Sequence, residues 1–301
     1  MAIILVTNNG DWEGLAAEIP GVRVLNIFHD DISQVLAGPP KSILMRYWFR
    51  SDFVNEDRRK KILGIESELV RKGVRLVNPF KAHEVAYQKC LYYSIIPSAP
   101  PFIVDPTIGQ LRQRLDSGEL SIPFVVRAGD FRDRGQMYLV HSLADFEGLR
   151  KSITPPTMVV RYVPDMEGKW HAKCRVYVIG KSIDMAFRII SDNWIVTHVG
   201  YKIDGATPSH SSGSTEYVND LAALNHDFRL SPDVTRDAIL TGECLGLEVF
   251  SMDILLHSGS HYIIDVNAGY AYLPFLEHYP ECVHALRVGH VGRVLAYLDQ
   301  T

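Results

Sequence analysis

Two alternating apolar segments near the end of the chain, separated by a glycine-containing turn, predict a β-hairpin. In the first segment Phe250 and Met252 alternate with residues that include Asp253, as expected for a strand with one apolar face. The second segment carries Asp265 and Asn267, which lie two residues apart and therefore point to the same side of a strand. The fold must accordingly contain an antiparallel pair of strands with polar side chains along one face.

The register of this hairpin decides whether its carboxylates meet. A three-residue turn at 258–260, with Gly259 at positive φ, would pair Asp253 directly with Asp265, whereas a two-residue turn would place them on opposite faces. Directly opposed residues have Cβ atoms about 5 Å apart, so two carboxylates there repel unless a positive charge lies between them. Repulsion predicts that metal-free Asp265→Asn protein melts at or above the wild-type temperature.

The polar row of the hairpin has the composition of a magnesium site. Asp253, Asp265 and Asn267 offer two carboxylates and an amide oxygen. These are hard oxygen ligands that suit Mg²⁺, which keeps several waters and shares its remaining positions with phosphate. The alternative is a solvated strand face, since the exposed face of an antiparallel sheet is commonly polar. The hairpin alone leaves both interpretations open.

Composition limits the class of protein. With 301 residues and 47% hydrophobic content, the chain can bury the cores of one to three domains. A formal charge of −4 and a pI near 6.3 argue against nucleic-acid binding through an overall basic field. No apolar run approaches a bilayer span, and the start lacks signal-peptide features. The four dispersed cysteines are typical of reduced thiols. We therefore expect a cytoplasmic protein without nucleic-acid or membrane partners; a homodimer stays open.

The first hundred residues alternate strands with helices, which predicts a small parallel-sheet domain. Hydrophobic periodicity places strands at 2–7, 22–27, 42–47 and 74–77, and helices at 56–72 and 79–96. Residues 98–101, which include two prolines, end this domain as a linker.

The rest of the chain has the mixed strands and helices of α+β domains. Strands are predicted at 122–128, 136–140, 157–163, 171–180 and 183–191, and helices at 142–149 and about 231–245. Ser231 and Pro232 are a favourable helix start, with a capping hydroxyl and a proline in the first turn. Residues 205–215 are rich in glycine, serine and threonine and predict a loop that could act as a flexible lid. The predicted domains are 1–100, 101–162 and 163–301.

Several segments resemble the ATP-grasp superfamily and keep its order along the chain. They are the helix around Lys89, the strand 123–127, the interdomain strand 158–164, the paired strands that contain 174–180 and Arg188, and the hairpin motif Met252-Asp253 with 263–267. The paired strands are similar to those of the ribosomal-protein glutamate ligases. The resemblance implies an α/β plus α+β protein with ATP-grasp architecture: an N-terminal parallel-sheet domain and two ATP-clasping α+β domains.

The resemblance also implies a role for each residue of the nucleotide site. Lys89 and Arg127 would hold the α- and β-phosphates of ATP. The adenine slot would involve Val160, Arg161, Tyr162, Val163 and Met252. The Mg²⁺ ligands would be Asp253, Asp265 and Asn267. The catalytic residues, binding the acyl phosphate or a substrate carboxylate, would be Arg175 and Arg188, although a structural ion pair is an equal alternative for either arginine.

Two residues depart from the family pattern. Arg127 stands where the family generally has lysine, and a guanidinium binds phosphate with a planar fork in place of a point charge. Asp265 stands where glutamate is usual, so the metal would be held by a shorter side chain. Phosphate binding by Arg127 and metal binding by Asp265 are still expected.

The chemistry implied is an ATP-dependent, ADP-forming ligation of a carboxylate to an amine through an acyl phosphate. The substrates would be small molecules or peptides, and the protein's contribution would be positioning and electrostatic stabilisation of the phosphoryl group. Two other classes stay open. One is a nucleotide-binding regulatory protein of the same fold with little or no activity, and the other is a metal-dependent phosphohydrolase that uses the acidic pair.

Overall fold

A computed structural model of the chain describes three β-sheets with eight helices in the described ranges. Those ranges are 2–6, 19–38, 40–47, 55–128, 136–149, 157–168, 170–191, 194, 229–268 and 280–300. The strands are β1 (Ala2–Val6), β2 (Val22–Asn26), β3 (Ser42–Arg46), β4 (Arg75–Val77), β5 (Phe102–Val104), β6 (Phe124–Ala128), β7 (Gln136–Val140), β8 (Thr157–Arg161), β9 (Met166–Glu167), β10 (Trp170–Ile179), β11 (Ser182–Ser191), β12 (Val249–His257) and β13 (Ser260–Asn267). The helices are α1 (Ser33–Ala37), α2 (Glu56–Arg71), α3 (Phe80–Ala86), α4 (Lys89–Tyr93), α5 (Ile108–Asp116), α6 (Leu143–Leu149), α7 (Pro232–Leu245) and α8 (Pro280–Gln300). The predicted loop at 205–215 lies outside the described residues.

The N-terminal sheet has the order β2-β1-β3-β4, and its strands pair in parallel. This confirms the parallel sheet expected from the alternation of strands and helices. Helix α2 begins at Asn55, whose side chain accepts hydrogen bonds from two backbone amides of the first turn. It buries Ile62 and Leu69 against the sheet. No helix within the described ranges is both long and apolar enough to cross a bilayer.

The single helix predicted over 79–96 is wrong, because the chain breaks it at Gln88. This residue has φ −95° and ψ 87°, outside the helical region, so α3 and α4 are separate helices. The two helices have different partners. His83 of α3 contacts the carbonyl of Met45 in β3 at 3.2 Å, whereas Tyr93 of α4 donates to the carbonyl of Ile264 in β13 at 2.8 Å. The change of direction brings α4 to the edge of the C-terminal sheet.

The central sheet is antiparallel, with the order β5-β8-β6-β7. Helices α5 and α6 cover it with a core of its own that includes Leu111, Phe124, Phe146 and Val159. The sequence interpretation missed β5 and α5, since it assigned no element between the linker and β6. The helix expected at 142–149 is present, and the hydroxyl of Ser142 caps it by accepting from the amide of Asp145 at 3.1 Å.

The C-terminal sheet has the order β11-β10-β12-β13, and β9 adds to β10. One face packs on α7, and β10 contributes Val176 and Val178 to that core. Its other face carries Tyr177 and Ile179, which share a core with the N-terminal sheet and α8. The N-terminal and C-terminal sheets are thus joined by one hydrophobic core, whereas the central sheet contributes Met158 and Val160 of β8 to the core between the C-terminal sheet and α7.

Helix α7 follows the predicted signals at both ends. The Ser231 hydroxyl accepts from the amide of Val234 at 3.4 Å, and Pro232 occupies the first turn. Gly246 ends the helix with φ 68°, a left-handed conformation that glycine adopts without a steric penalty. The helix therefore delivers the chain to β12 as expected.

The β12–β13 hairpin pairs Asp253 with Asp265 through a turn that differs from the predicted one. The turn has two residues, Ser258 and Gly259, with φ values of 49° and 77°, as a type I′ turn requires. A two-residue turn alone would put the carboxylates on opposite faces. A register shift between Asp253 and Ile254 inserts one extra residue in β13, Ile264, and this bulge restores the pairing.

Candidate active site

The three predicted metal ligands lie on one face of the β12–β13 hairpin. Asp253 and Asp265 are register partners, and Ser251 pairs with Asn267 two residues along the same face. The Asn267 amide nitrogen donates to the Asp265 carboxylate at 3.0 Å. The alternation of side chains along the strands and the bulge in β13 therefore bring two carboxylates and an amide onto one face of the sheet.

Asp253 is held between two cations from β10. Its carboxylate lies 2.9 Å from the Lys173 ammonium, and its other oxygen lies 2.6 Å from Nε of Arg175. Arg175 is the register partner of Asp253, so strand pairing itself brings these two groups together. All three side chains are at most 7% exposed. Burial lowers the pKa of Lys173, while the Asp253 carboxylate acts in the opposite direction.

Asp265 is paired with Lys89, which approaches from α4. The Lys89 ammonium contacts the Asp265 carboxylate and also donates to the carbonyl of Ile264, the bulge residue, at 3.2 Å. Burial lowers the pKa of Lys89 to about 8, so it is protonated at neutral pH. Burial acts to raise the pKa of Asp265, but the charge and hydrogen bond of Lys89, with the charges of Arg127 and Arg175, together hold that pKa well below its usual range.

These ion pairs overturn the expected repulsion between the two carboxylates. Each carboxylate has a cation of its own, Arg175 and Lys173 for Asp253 and Lys89 for Asp265. Opposed carboxylates repel when no positive charge lies between them, and in the described site each carboxylate has a cationic partner. Stabilisation of the metal-free protein by Asp265→Asn is no longer expected.

The described part of the cluster carries a net positive charge. Arg127, on β6 of the central sheet, is close enough that its positive charge acts to lower the pKa of both Lys89 and Asp265. Four cations, from Lys89, Arg127, Lys173 and Arg175, accompany the two carboxylates, which gives a formal charge of +2. This charge favours a polyanionic ligand such as a nucleoside triphosphate.

The donor set fits magnesium that arrives with phosphate. Asp253, Asp265 and Asn267 offer oxygen ligands of the kind that Mg²⁺ prefers. No group of three or more histidine, cysteine, aspartate or glutamate side chains forms a metal cluster among the described residues. A two-carboxylate site leaves positions for phosphate oxygens and water, as is usual for Mg²⁺ in nucleotide-dependent enzymes.

The structure separates the two arginines for which catalytic roles were expected. Arg188 pairs in register with Cys174, whose side chain faces α7, so it projects from the sheet face opposite Arg175. It forms a bidentate ion pair with Asp165, at 2.6 and 2.5 Å. Burial acts to lower the pKa of Arg188, but the hydrogen bonds that Arg188 donates to Asp165, together with the negative charge of Asp165, raise that pKa. This geometry favours the structural alternative for Arg188.

Four of the five residues expected around adenine lie at or just after the end of β8, and the fifth, Met252, lies in β12. Val160 and Met252 are buried in the core that α7 covers, and Met252 lies on the face opposite Asp253. Val163 is also buried, whereas Arg161 is exposed. Tyr162 is half-buried, with its hydroxyl 3.3 Å from Nδ1 of His171. Residues 160–163 thus belong to the connection along the chain from the central sheet to the C-terminal sheet.

Lys173 is the site residue that sequence reasoning missed. It lies two positions before Arg175 on β10, and residues two apart share a strand face. The alternation in 171–180 was therefore a sufficient signal once Arg175 was singled out. What the sequence did not show is that the partner of this face is Asp253.

Comparison with solved structures identifies the fold. The chain aligns over 95% of its length with 98% of the ATP-grasp ligase PsnB complexed with a minimal precursor, with a TM-score of 0.61 and 15% identity. The macrocyclase MdnC from Microcystis aeruginosa, bound with precursor peptide MdnA, aligns with a TM-score of 0.59 and 14% identity, covering 97% of this chain and 99% of that one. A RimK domain ATP-grasp protein from Sphaerobacter thermophilus aligns over 99% of both chains, with a TM-score of 0.55 and 14% identity.

Sequence comparison adds nothing to this assignment, since no family model and no curated protein matches the chain. The structural likeness extends over nearly the whole chain, and it covers the N-terminal, central and C-terminal sheets. The neighbours also include a D-alanine–D-alanine ligase from Bacillus anthracis, with a TM-score of 0.53 and 12% identity. The chain therefore has the ATP-grasp fold, as its hairpin and strand motifs had indicated.

Proposed function

We propose that this protein is an ATP-dependent ligase that joins a carboxylate to an amine and forms ADP. The observation that carries the proposal is the cluster of Lys89, Lys173 and Arg175 around the carboxylate pair, with Arg127 of the central sheet close by. A net positive cluster with oxygen ligands for a divalent cation supports binding of a magnesium–nucleotide complex. The fold is shared with ligases of this class.

The residues of the cluster divide the work of phosphoryl transfer. Joining a carboxylate to an amine in water is uphill, and bound ATP would supply the phosphoryl group that activates the acid. Lys89 and Arg127 would bind the phosphates, and Asp253, Asp265 and Asn267 would hold the metal. Arg175, on the same face as Asp253, would bind the acyl phosphate or the substrate carboxylate. Fixed charges of this kind stabilise the transferring group without reorganising during the reaction.

Peptides are a reasonable substrate class. Two structural neighbours, PsnB and MdnC, were determined with precursor peptides. We infer that one substrate of this protein is a carboxylate or amine carried by a peptide, with free amino acids as the other class to test. Purified protein should release ADP faster with one of these pools, and mass spectrometry should detect a joined product. Phosphate release without a joined product would indicate a phosphohydrolase, and nucleotide binding without stimulated turnover would indicate a regulatory protein.

The identity of the released nucleotide tests the reaction route. An acyl phosphate intermediate yields ADP and inorganic phosphate, whereas an adenylate intermediate yields AMP and pyrophosphate. We expect ADP, because the positive charge of the cluster would stabilise a transferring phosphoryl group. Chromatography of a productive turnover measures the ratio directly. AMP as the main product would contradict the proposed route.

Arg127 tests the assignment of the phosphate-binding cations. Arg127→Ala should weaken nucleotide binding or turnover by about 1.5–3 kcal/mol, the range for a lost hydrogen bond to a charged group. Its melting temperature should change little, because Arg127 is only half-buried. Arg127→Lys should restore much of the activity, since an ammonium also binds phosphate. Near-wild-type turnover of both variants, measured under saturating substrates, would remove Arg127 from the site.

A further inference from the structure

The carboxylates of the candidate metal site already have counter-ions within the protein. Asp253 is 2.9 Å from Lys173 and 2.6 Å from Arg175, and Asp265 contacts Lys89. The side chains of these three cations are between 5 and 12% exposed, so water screens their charges poorly. A divalent cation that enters alone must therefore approach fixed positive charges or displace them from the carboxylates.

Because the described cluster is positively charged, it should bind nucleotide more readily than Mg²⁺ as the first ligand. The cluster carries a formal charge of +2 from its own side chains. Mg²⁺ alone would increase this charge, whereas ATP, with about four negative charges, would reverse it. Nucleotide that binds first would both remove the repulsion and offer phosphate oxygens to the metal. Coupling of this kind is reciprocal, so the metal must tighten nucleotide binding by the same factor.

Lys173 is the cation in this cluster that the proposed reaction does not otherwise use. Lys89 and Arg127 are assigned to phosphates and Arg175 to the acyl group, whereas Lys173 is only 5% exposed and points at Asp253. Arg175 alone would satisfy the charge of Asp253, since it also donates to that carboxylate at 3.1 Å. The second cation on Asp253 is therefore an excess positive charge placed next to a metal ligand.

We propose that Lys173 is a positioning residue that makes Mg²⁺ binding conditional on bound nucleotide. It holds Asp253 in place and neutralised until phosphate arrives, and its charge opposes metal that comes without nucleotide. The proposal depends on the nucleotide site of the proposed function. It goes beyond that function by specifying the order in which the ligands bind and the residue that sets this order.

The test measures binding and not turnover. Full-length wild-type protein is titrated by calorimetry and followed by thermal unfolding with MgCl₂ alone, with ATP plus EDTA, and with ATP plus MgCl₂. We expect no rise in melting temperature with MgCl₂ alone, a rise with ATP plus EDTA, and a larger rise with both, because ligands that bind the native state stabilise it. Bound nucleotide should tighten Mg²⁺ on the order of 100-fold.

Removing the charge of Lys173 should strengthen the binding of Mg²⁺ alone and weaken the binding of ATP alone. Lys173→Met keeps the length of the side chain but removes its charge, so Mg²⁺ alone should now raise the melting temperature while ATP plus EDTA binds more weakly. The coupling between the two ligands should fall on the order of 10-fold. Lys173→Arg should behave like wild type. Lys181→Met is the matched control, because the Lys181 side chain is 82% exposed and pairs with Glu243 away from the cluster.

The outcomes separate this proposal from the proposed function. Wild-type protein that binds MgCl₂ alone as well as Lys173→Met does would overturn the role of Lys173 and leave the nucleotide site intact. Absence of any response to ATP, with or without MgCl₂, would overturn the nucleotide site itself. If Lys173→Met does not fold, Lys173→Gln replaces it, and weakening of both ligands together in that variant would indicate a merely structural role.

Discussion

Asp253→Asn is expected to lower the free energy of unfolding by about 3–5 kcal/mol, the range observed when one partner of a buried ion pair is removed. The Asp253 carboxylate lies between Lys173 and Arg175, and none of these side chains is more than 7% exposed. Neutralising it leaves two buried cations without their charge partner. Turnover should also be lost, since the same carboxylate is a proposed metal ligand. Chemical denaturation in the absence of Mg²⁺ measures the first effect, and ADP release measures the second.

Asp265→Asn provides the contrast. Its carboxylate is 31% exposed and is paired with Lys89, which is 12% exposed, so solvent replaces part of the lost interaction. The loss of stability should be smaller than for Asp253→Asn, while turnover is again lost. The opposite order would show that burial does not set the size of the loss, and a gain of stability in either variant would show that repulsion between the two carboxylates outweighs their ion pairs. A destabilised Asp265→Asn variant with normal turnover would make Asp265 a structural residue.

Asp165→Asn should destabilise the protein by a similar amount, about 3–5 kcal/mol, for a reason unrelated to nucleotide. Asp165 is 3% exposed and binds Arg188 through both carboxylate oxygens. It also accepts from the amide of Leu256 in β12 at 2.8 Å. The residue therefore fixes the segment that leaves β8 to the C-terminal sheet. Melting temperature and denaturant titration without ligand are the measurements.

A matched variant distinguishes this ion pair from a catalytic role of Arg188. Replacing both partners of a buried pair by uncharged groups removes the cost of an unpaired charge. The double variant Asp165→Asn with Arg188→Met should therefore be more stable than Asp165→Asn alone. If the double variant also keeps turnover, Arg188 is structural. A loss of turnover in Arg188→Met without loss of stability would restore the catalytic assignment that the sequence suggested.

The position of the site follows from how the three sheets are joined. The N-terminal and C-terminal sheets share one core, and Asn78 strengthens this junction by accepting hydrogen bonds from the amides of Glu248 and Val249 at 2.8 and 3.1 Å. The central sheet has a core of its own on one face, while Met158 and Val160 on its other face join the core of the C-terminal sheet. Arg127 belongs to that sheet, whereas the carboxylates belong to the C-terminal one. The cluster of charges therefore draws on both the central and the C-terminal sheet, so a ligand bound there can contact both.

Some features of the site were accessible from sequence because they depend on local periodicity. The alternation in β12 and β13 placed Asp253, Asp265 and Asn267 on a common face, and the pairing of the two carboxylates was expected. That expectation was confirmed for a reason that sequence did not reveal. The predicted three-residue turn is absent, and the bulge at Ile264 supplies the missing residue instead.

The bulge illustrates why local patterns do not determine such details. A two-residue turn combined with a bulge pairs Asp253 with Asp265 on one face. A three-residue turn without a bulge gives the same pairing. The choice between them depends on tertiary contacts, since the carbonyl of Ile264 accepts hydrogen bonds from Lys89 and Tyr93 of α4. The break at Gln88, which the helical pattern of 79–96 concealed, is what brings α4 to that carbonyl.

Sequence by itself determined the classes of element, the parallel N-terminal sheet, the hairpin and the identity of its acidic face, because residue spacing and turn chemistry act over a few neighbouring positions. Only the tertiary structure decided the charge state of the site and the roles of its cations. Lys173, Arg175 and Lys89 reach the carboxylates from β10 and α4, while Arg188 turns away to Asp165. Ion pairing depends on distances between groups far apart in the chain, and strand pairing and helix packing set those distances.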